Sequence, residues 1–173
     1  MTFLSIDDIR LSTESSVKRF KRFQRATFGD GYSQILSDGL NADKEIWTCR
    51  TLPLQEVEAY SIESYFRQYA DQAIQWSPPD ATKTFQSKFS SGVLNLGYTN
   101  ISSLSLSGYS RPVDYTANLV SGILTSVTIA NNVAVSITLT EAPKQYVLRD
   151  GWEITYIASN VYQITFELER FYG

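Results

Sequence analysis

The stretch that decides the fold class is YQITFELE, residues 162–169. Tyr162, Ile164, Phe166 and Leu168 face one side, and Gln163, Thr165, Glu167 and Glu169 face the other. This alternation is typical of a β-strand with one buried face and one solvated face. Trp152, Ile154 and Tyr156 repeat the apolar half of the pattern across the turn residues 158–160, so the two segments predict a β-hairpin.

Four further segments extend the β pattern. Three predict single strands with β-branched or aromatic residues: 45–51, 73–76 and 101–106. The fourth predicts a hairpin in which Val127 and Ile129 precede Asn131-Asn132 and an alternating run from Val133 to Leu139 follows. Asparagine accepts the left-handed conformation that such turns need.

Residues 54–69 predict a helix, because their apolar residues recur every three or four positions. The predicted apolar stripe comprises Leu54, Val57, Tyr60 or Ser61, Ile62, Tyr65, Phe66 and Tyr69. Pro53 suits the first turn, where its missing N–H would have no partner. We expect Trp47, Trp76, Ile62 and Phe66 in the core. The fold class is therefore mainly β (α+β), with one flanking helix.

Charge divides the chain into two regions. Between Val93 and Pro143 only Arg111, Asp114 and Glu141 are charged, whereas the flanking sequence carries most of the charge. We therefore predict a core domain of residues 1–80 plus 144–173 and an inserted β-rich lobe of residues 81–143.

Composition excludes several classes of chemistry. The 173 residues include no histidine and one cysteine, with 18 acidic and 15 basic side chains and a net charge of -3. A Ser-His-Asp triad, a Cys-His dyad, a His-ligated metal and an intrachain disulfide are all impossible. No apolar run is long enough to span a membrane, and the first ten residues lack a signal pattern. We expect no enzyme activity, no cofactor, no metal site and no membrane partner, and synthesis in a cytoplasm.

The candidate chemical motifs have simpler structural explanations. Gly29-Asp30-Gly31 lacks the flanking strand, helix and lysine of a phosphate loop, so it predicts a tight turn. Glu167 and Glu169 share one strand face, as glycosidase carboxylates can, but a solvated or paired role is commoner. Cys49 is expected to be a small buried residue, because no histidine base is available.

Residues 18–25 form a basic stretch, KRFKRFQR. Two interpretations remain open. The cationic groups could contact phosphates while Phe20 and Phe23 stack on bases. Alternatively they could form a subunit contact or an exposed strand, which the acidic balance of the chain favours. The low-charge lobe is open as well: it could bind host carbohydrate through Tyr98, Tyr109 and Tyr115, or it could be a structural β-lobe.

The order of motifs resembles the minor tail protein M family of long-tailed bacteriophages. The shared features are FGDGYSQ at 28–34, GLNA at 39–42, the helix at 54–69 and WSPP at 76–79, together with closing strands near residues 146–171. The sequence departs from the family pattern between residues 81 and 143. The resemblance covers about residues 17–79 and that final stretch.

The resemblance implies a structural protein of the virion tail tip, made in the host cytoplasm, with a tail-tube-like β-sandwich or barrel. It implies a ring, usually hexameric, that joins the tail tube protein to the hub and receptor-binding parts. Tape-measure protein or DNA would pass through the lumen, which the arginines could line instead. We predict that the inserted lobe lies on the outer rim. The predicted subunit-interface residues are Lys18, Arg19, Arg22, Arg25, Phe28, Asp30, Tyr32 and Gln34.

Overall fold

A computed structural model describes residues 5–27, 29, 32–37 and 43–172. These ranges contain fourteen β-strands, one α-helix and a short 3₁₀ turn, Ile6–Asp8. The mainly β class with one helix, predicted from the sequence, is confirmed. In chain order the elements are β1 (Ser16–Lys21), β2 (Phe23–Thr27), β3 (Ser33–Ser37), β4 (Asp43–Arg50), β5 (Leu54–Gln55), α1 (Glu56–Tyr69), β6 (Ile74–Trp76), β7 (Thr82–Lys88), β8 (Val93–Asn95), β9 (Ile101–Leu106), β10 (Tyr115–Asn118), β11 (Ile123–Ser126), β12 (Ala134–Glu141), β13 (Lys144–Ala158) and β14 (Val161–Arg170).

The chain divides into two compact units. The first comprises Met1–Trp76 and Lys144–Gly173, and the second is Ser77–Pro143. The second unit includes the predicted lobe of residues 81–143. That this lobe is an insertion into the family fold stays a prediction.

A six-stranded antiparallel sheet forms the framework of the first unit. Its strand order is β1-β4-β14-β13-β6, and β5 pairs with the start of β14. The predicted C-terminal hairpin is present: Ile154 pairs with Ile164, and Trp152 pairs with Phe166. Alternation therefore identified both strands, and in the structure their apolar residues pair on one face.

Aromatic side chains fill the core of the first unit. Phe66 of α1 is fully buried, 4.8 Å from the Phe166 ring and 5.5 Å from the Trp152 ring. Trp47 and Trp76 pack edge to face at 5.5 Å. The core placement predicted for Trp47, Trp76, Ile62 and Phe66 is confirmed by their burial.

The buried stripe of α1 has a different phase from the predicted one. Ala59, Ile62 and Phe66 are buried, whereas Val57 and Tyr60 are 70% and 56% exposed. The prediction was wrong for these two residues because Leu54 belongs to β5 and not to the helix. With Ala59 inside, Val57 lies two positions earlier and projects from nearly the opposite side of the helix.

The second unit contains two three-stranded antiparallel sheets, ordered β10-β11-β8 and β7-β12-β9. It has its own apolar core, with Phe89, Leu124, Ile137 and Leu139 fully buried. The predicted hairpin of residues 127–139 is wrong, because β12 pairs with β7 and β9.

Candidate subunit interface

Strands β2 and β3 form a hairpin that is separate from the main sheet. Within the described ranges they pair only with each other, with Arg25 opposite Ile35 and Ala26 opposite Gln34. Every residue of β2 is exposed. An isolated two-stranded hairpin is marginally stable in water, so this one has the character of a segment that needs a partner.

One face of the hairpin combines apolar and cationic groups. Phe23, Arg25 and Ile35 share this face because they lie directly or diagonally opposite one another. Phe23 is 60% exposed and Ile35 is 61% exposed. The Arg25 guanidinium donates a 3.5 Å hydrogen bond to Ser33 Oγ. Exposed apolar groups beside a guanidinium are typical of protein contact surfaces. We call this surface the hairpin face.

The structure distributes the predicted interface residues over two adjacent elements. Lys18 and Arg19 lie on β1, Arg22 connects β1 to β2, Arg25 lies on β2, Tyr32 precedes β3, and Gln34 lies on β3. Phe28 and Asp30 lie outside the described residues. Arg25, Tyr32 and Gln34 therefore belong to the hairpin, although Arg25 and Gln34 point to opposite sides. Their part in a subunit contact stays a prediction.

Arg19 has a structural environment within its own chain. Its Nε donates a 2.9 Å hydrogen bond to Glu45, and its guanidinium lies 5.8 Å from the centre of the Trp47 ring. Glu45 also accepts hydrogen bonds from Trp47 Nε1 at 2.9 Å and from the Tyr146 hydroxyl at 2.5 Å. Burial would raise the pKa of Glu45, but the hydrogen bonds from Tyr146, Arg19 and Trp47 outweigh it and lower that pKa.

Strand β1 is an edge of the sheet in the described part of the chain. On it, Lys18 Nζ lies 5.6 Å from the centre of the Phe20 ring, which is 41% exposed. A charged edge discourages random strand pairing while leaving the backbone available to a specific partner.

A second exposed apolar surface lies where α1 meets the tip of the β13–β14 hairpin. The Tyr162 ring lies 6.3 Å from the Tyr60 ring and 5.6 Å from the Tyr156 ring. Val57, which is 70% exposed and lies one helical turn before Tyr60, extends the surface. We call Val57, Tyr60, Tyr156 and Tyr162 the tyrosine face.

Sequence reasoning missed the tyrosine face. It assigned Val57 and Tyr60 to the buried stripe and Tyr156 to a half-buried strand, where Tyr156 is 62% exposed. The available signal was Ala59, which completes an Ala59–Ile62–Phe66 stripe at the same spacing and leaves Val57 outside it.

The candidate chemical residues have structural partners. Cys49 is fully buried, and burial raises the pKa of its thiol to about 12. Glu169 accepts a hydrogen bond from Lys44 Nζ, and Glu167 accepts one of 3.2 Å from Thr48 Oγ1. No three potential metal ligands converge in the described ranges. No helix in these ranges has the length and apolarity to cross a membrane.

The three tyrosines considered for carbohydrate binding have different environments. Tyr115 is 2% exposed and belongs to the core of the second unit. Tyr98 packs 5.9 Å from the Phe85 ring, and Lys83 Nζ lies 5.1 Å from the Tyr98 ring centre. Tyr115 therefore cannot offer a ring face to a sugar. The interpretation of these tyrosines as a carbohydrate site is wrong for Tyr115.

These features define a mainly β protein with one flanking helix and an exposed two-stranded hairpin, in which the carboxylates considered as chemical candidates accept hydrogen bonds within the chain. A family model described as phage minor tail protein matches residues 8–106, more than half of the chain. The chain belongs to that family, and it is a structural, virion-associated protein of a bacteriophage tail. No curated protein matches the chain.

The family match covers a different part of the chain from the resemblance described above. It continues past Pro79 through β9, so it includes residues 81–106 of the region where the sequence was expected to depart. It ends before β13 and β14, whose likeness to closing strands of the family stays a prediction.

Proposed function

We propose that this chain forms a ring at the tip of the phage tail, joining the tail tube protein to the hub. The observation that carries the proposal is the hairpin of β2 and β3. The exposed Phe23 and Ile35, and the absence of a third strand on this hairpin in the described ranges, favour a chain that completes its fold by association.

A closed ring suits the remaining exposed features of the first unit. The unpaired side of β1 and the hairpin face are adjacent in the chain and rich in cations. Repeated copies could cover both without leaving an open edge, because a ring has no ends. Hexameric stoichiometry is proposed from the family resemblance.

The proposed partners are the tail tube protein on one side of the ring and the hub on the other. Tape-measure protein or DNA would occupy the lumen. A lumen position for Arg22 and Arg25 is the competing arrangement, and it makes a different prediction: charge reversal would leave the ring intact and alter passage or retention of an anionic cargo.

Native mass spectrometry of the full chain tests the ring, with an assembly of six 19.5-kDa subunits expected. Charge reversal of Arg22 and Arg25 together should shift the population toward smaller species. Antibody labelling of intact tails tests the location, and label along the tube shaft instead of the tip would contradict the proposal. Unchanged oligomer mass in the reversed variant would count against these arginines as contacts.

A further inference from the structure

We propose that the hairpin face of one copy docks onto the tyrosine face of the next copy. This inference rests on the proposed ring and names the two surfaces that would meet in it. Both surfaces belong to the first unit, and each exposes apolar groups in the part of the chain that the structure describes.

The two surfaces lie at opposite ends of the sheet. The hairpin follows β1, whose last residue, Lys21, pairs with Asp43. Three residues further along β4, Ile46 pairs with Glu169 near the end of β14. The tyrosine face lies at the start of β14, where Tyr162 pairs with Leu54 and Tyr156. Tyr162 and Glu169 are seven residue steps apart along β14, which corresponds to roughly 20 Å.

This separation means that the chain does not cover its own tyrosine face with its own hairpin. The exposures agree, since Phe23 is 60% and Val57 is 70% exposed. A second copy, displaced along the strand direction, can present its hairpin to the free tyrosine face.

The surfaces are complementary in chemistry. The hairpin face offers Phe23, Ile35 and the Arg25 guanidinium, and the sequence from residue 15 to residue 29 contains no acidic residue. The tyrosine face offers aromatic rings beside Glu56, one helical turn before Tyr60. Burial of its hydroxyl and the negative charge of Glu56 raise the pKa of Tyr162, which agrees with a carboxylate close to that ring.

Arginine is well suited to such a face. Its guanidinium can stack on a tyrosine ring and pair with a carboxylate at the same time. Aromatic and arginine side chains dominate the energetics of protein interfaces, whereas lysine is depleted there. Charge complementarity and apolar contact therefore favour a second copy as the occupant.

The contact is heterologous, since two different patches of one chain meet. Each bound pair leaves one hairpin face and one tyrosine face available, so association continues from head to tail. Such contacts form a ring when the rotation per subunit closes, and a filament when it does not. The proposed ring requires a rotation per subunit that closes.

Thiol cross-linking tests the docking directly, because native Cys49 is fully buried and will not react in the folded chain. Ile35→Cys and Val57→Cys, at exposed positions, are prepared as separate variants, mixed, and treated with a short flexible bismaleimide. We expect a covalent dimer that contains one chain of each variant. The double variant should give a ladder of linked chains.

Val120→Cys is the matched control, because Val120 is as exposed as Val57 but lies in the second unit. Its mixture with the Ile35 variant should give little product. Equal yields from the two mixtures would overturn the docking. So would the absence of a cross-link both at up to about 1 mM purified protein and in tails that carry the two variants.

A charge-exchange cycle provides a second readout. Arg25→Glu and Glu56→Arg should each weaken self-association about three- to tenfold, and their combination should restore part of the loss. Asp71→Arg, just beyond the other end of α1, should neither weaken association nor rescue the Arg25 variant. Additive losses in the double variant would contradict the pairing.

Failure of the docking and failure of the ring are distinguishable. A six-subunit assembly without the Ile35–Val57 cross-link would leave the ring standing and move the contact elsewhere. A cross-link that forms in a chain absent from the tail tip would support the contact and contradict the ring function. A cross-link of either variant to the tail tube protein instead of a second copy would identify that protein as the occupant.

Discussion

The Tyr146 hydroxyl donates a 2.5 Å hydrogen bond to the carboxylate of Glu45 across the first unit, although 101 residues separate them in sequence. Glu45 lies on β4 and Tyr146 on β13, and β14 runs between these strands. Because the same carboxylate accepts from Arg19 and Trp47, one partly buried charge connects three strands. A carboxylate can be taken out of water at low cost when hydrogen bonds from the protein replace those from water, and Glu45 accepts three of them.

This arrangement predicts a loss of stability in acid. The pKa of Glu45 in the folded chain lies below its ordinary value of 4.5, so the charged form stabilises the fold. That contribution is present above about pH 4.5 and is lost as the pH falls through the lowered folded value. Glu45→Gln should reduce the free energy of unfolding by about 1–3 kcal/mol at neutral pH.

Urea unfolding as a function of pH measures this effect. The Glu45 variant should show a flatter dependence than the native chain below about pH 5, where the native carboxylate begins to lose its stabilising effect. Glu14→Gln is the control, since the Glu14 side chain is 63% exposed. If both variants retained the native pH dependence, the stabilising role of Glu45 would be refuted.

Cys49 should not react with thiol reagents in the folded chain. Its pKa of about 12 leaves almost no thiolate at neutral pH, and burial blocks access to the sulfur. Labelling with a chromogenic disulfide should therefore follow global unfolding. Rapid reaction under native conditions, compared with Val120→Cys as an accessible reference, would contradict the burial.

Substitutions at two positions of α1 distinguish its buried side from its exposed side by their effect on the free energy of unfolding. Phe66→Ala should lower the free energy of unfolding by about 3–5 kcal/mol, because it removes ring contacts with Phe166 and Trp152. Val57→Ala should change stability by less than about 0.5 kcal/mol, since Val57 is 70% exposed. Thermal unfolding measures both, and a large loss from Val57→Ala would show that the helix phase is wrong.

Gly122 should be the glycine of the second unit that is least tolerant of a side chain. Its φ is +68°, and an added Cβ would lie 1.8 Å from the Tyr98 carbonyl oxygen. Gly108 has φ +82° with open space around it, so Gly108→Ala should cost only about 1–2 kcal/mol of left-handed strain.

The Gly122→Ala variant adds a backbone collision to the same strain, which should cost about 1–3 kcal/mol more. Calorimetry of the two variants compares the losses. Equal losses would mean that the Tyr98 carbonyl moves aside without cost.

The parts of the fold that local pattern specifies were predictable. Residues 162–169 alternate because one side of β14 packs against α1 and the other side carries hydrogen-bonded polar groups. Residues 127–129 alternate as well, but they form no strand. The N–H groups of Val127 and Thr128 donate instead to the Asp114 carbonyl, a distant partner that local alternation does not encode.

The candidate interface was predictable in composition and not in geometry. A basic, aromatic stretch was evident, but its division between β1, which pairs with β4 in the main sheet, and β2, which pairs with β3, depends on where the sheet ends. The tyrosine face required two further facts: the rotation of α1, and the approach of Tyr60 to the β13–β14 tip. Both result from long-range packing of the Phe66 side chain.

The pairing of Trp76 with Lys144 has a consequence for how such chains can vary. The polypeptide leaves the sheet after Trp76 and returns at Lys144, which lies directly opposite. The whole of Ser77–Pro143 is therefore inserted between two residues that pair with each other. Lengthening, shortening or exchanging that segment leaves the register of β6 and β13 unchanged. The Trp76–Lys144 pair is therefore a suitable place to replace the segment, and a two-residue Asn-Gly turn could connect the two strands in a minimal version of the protein.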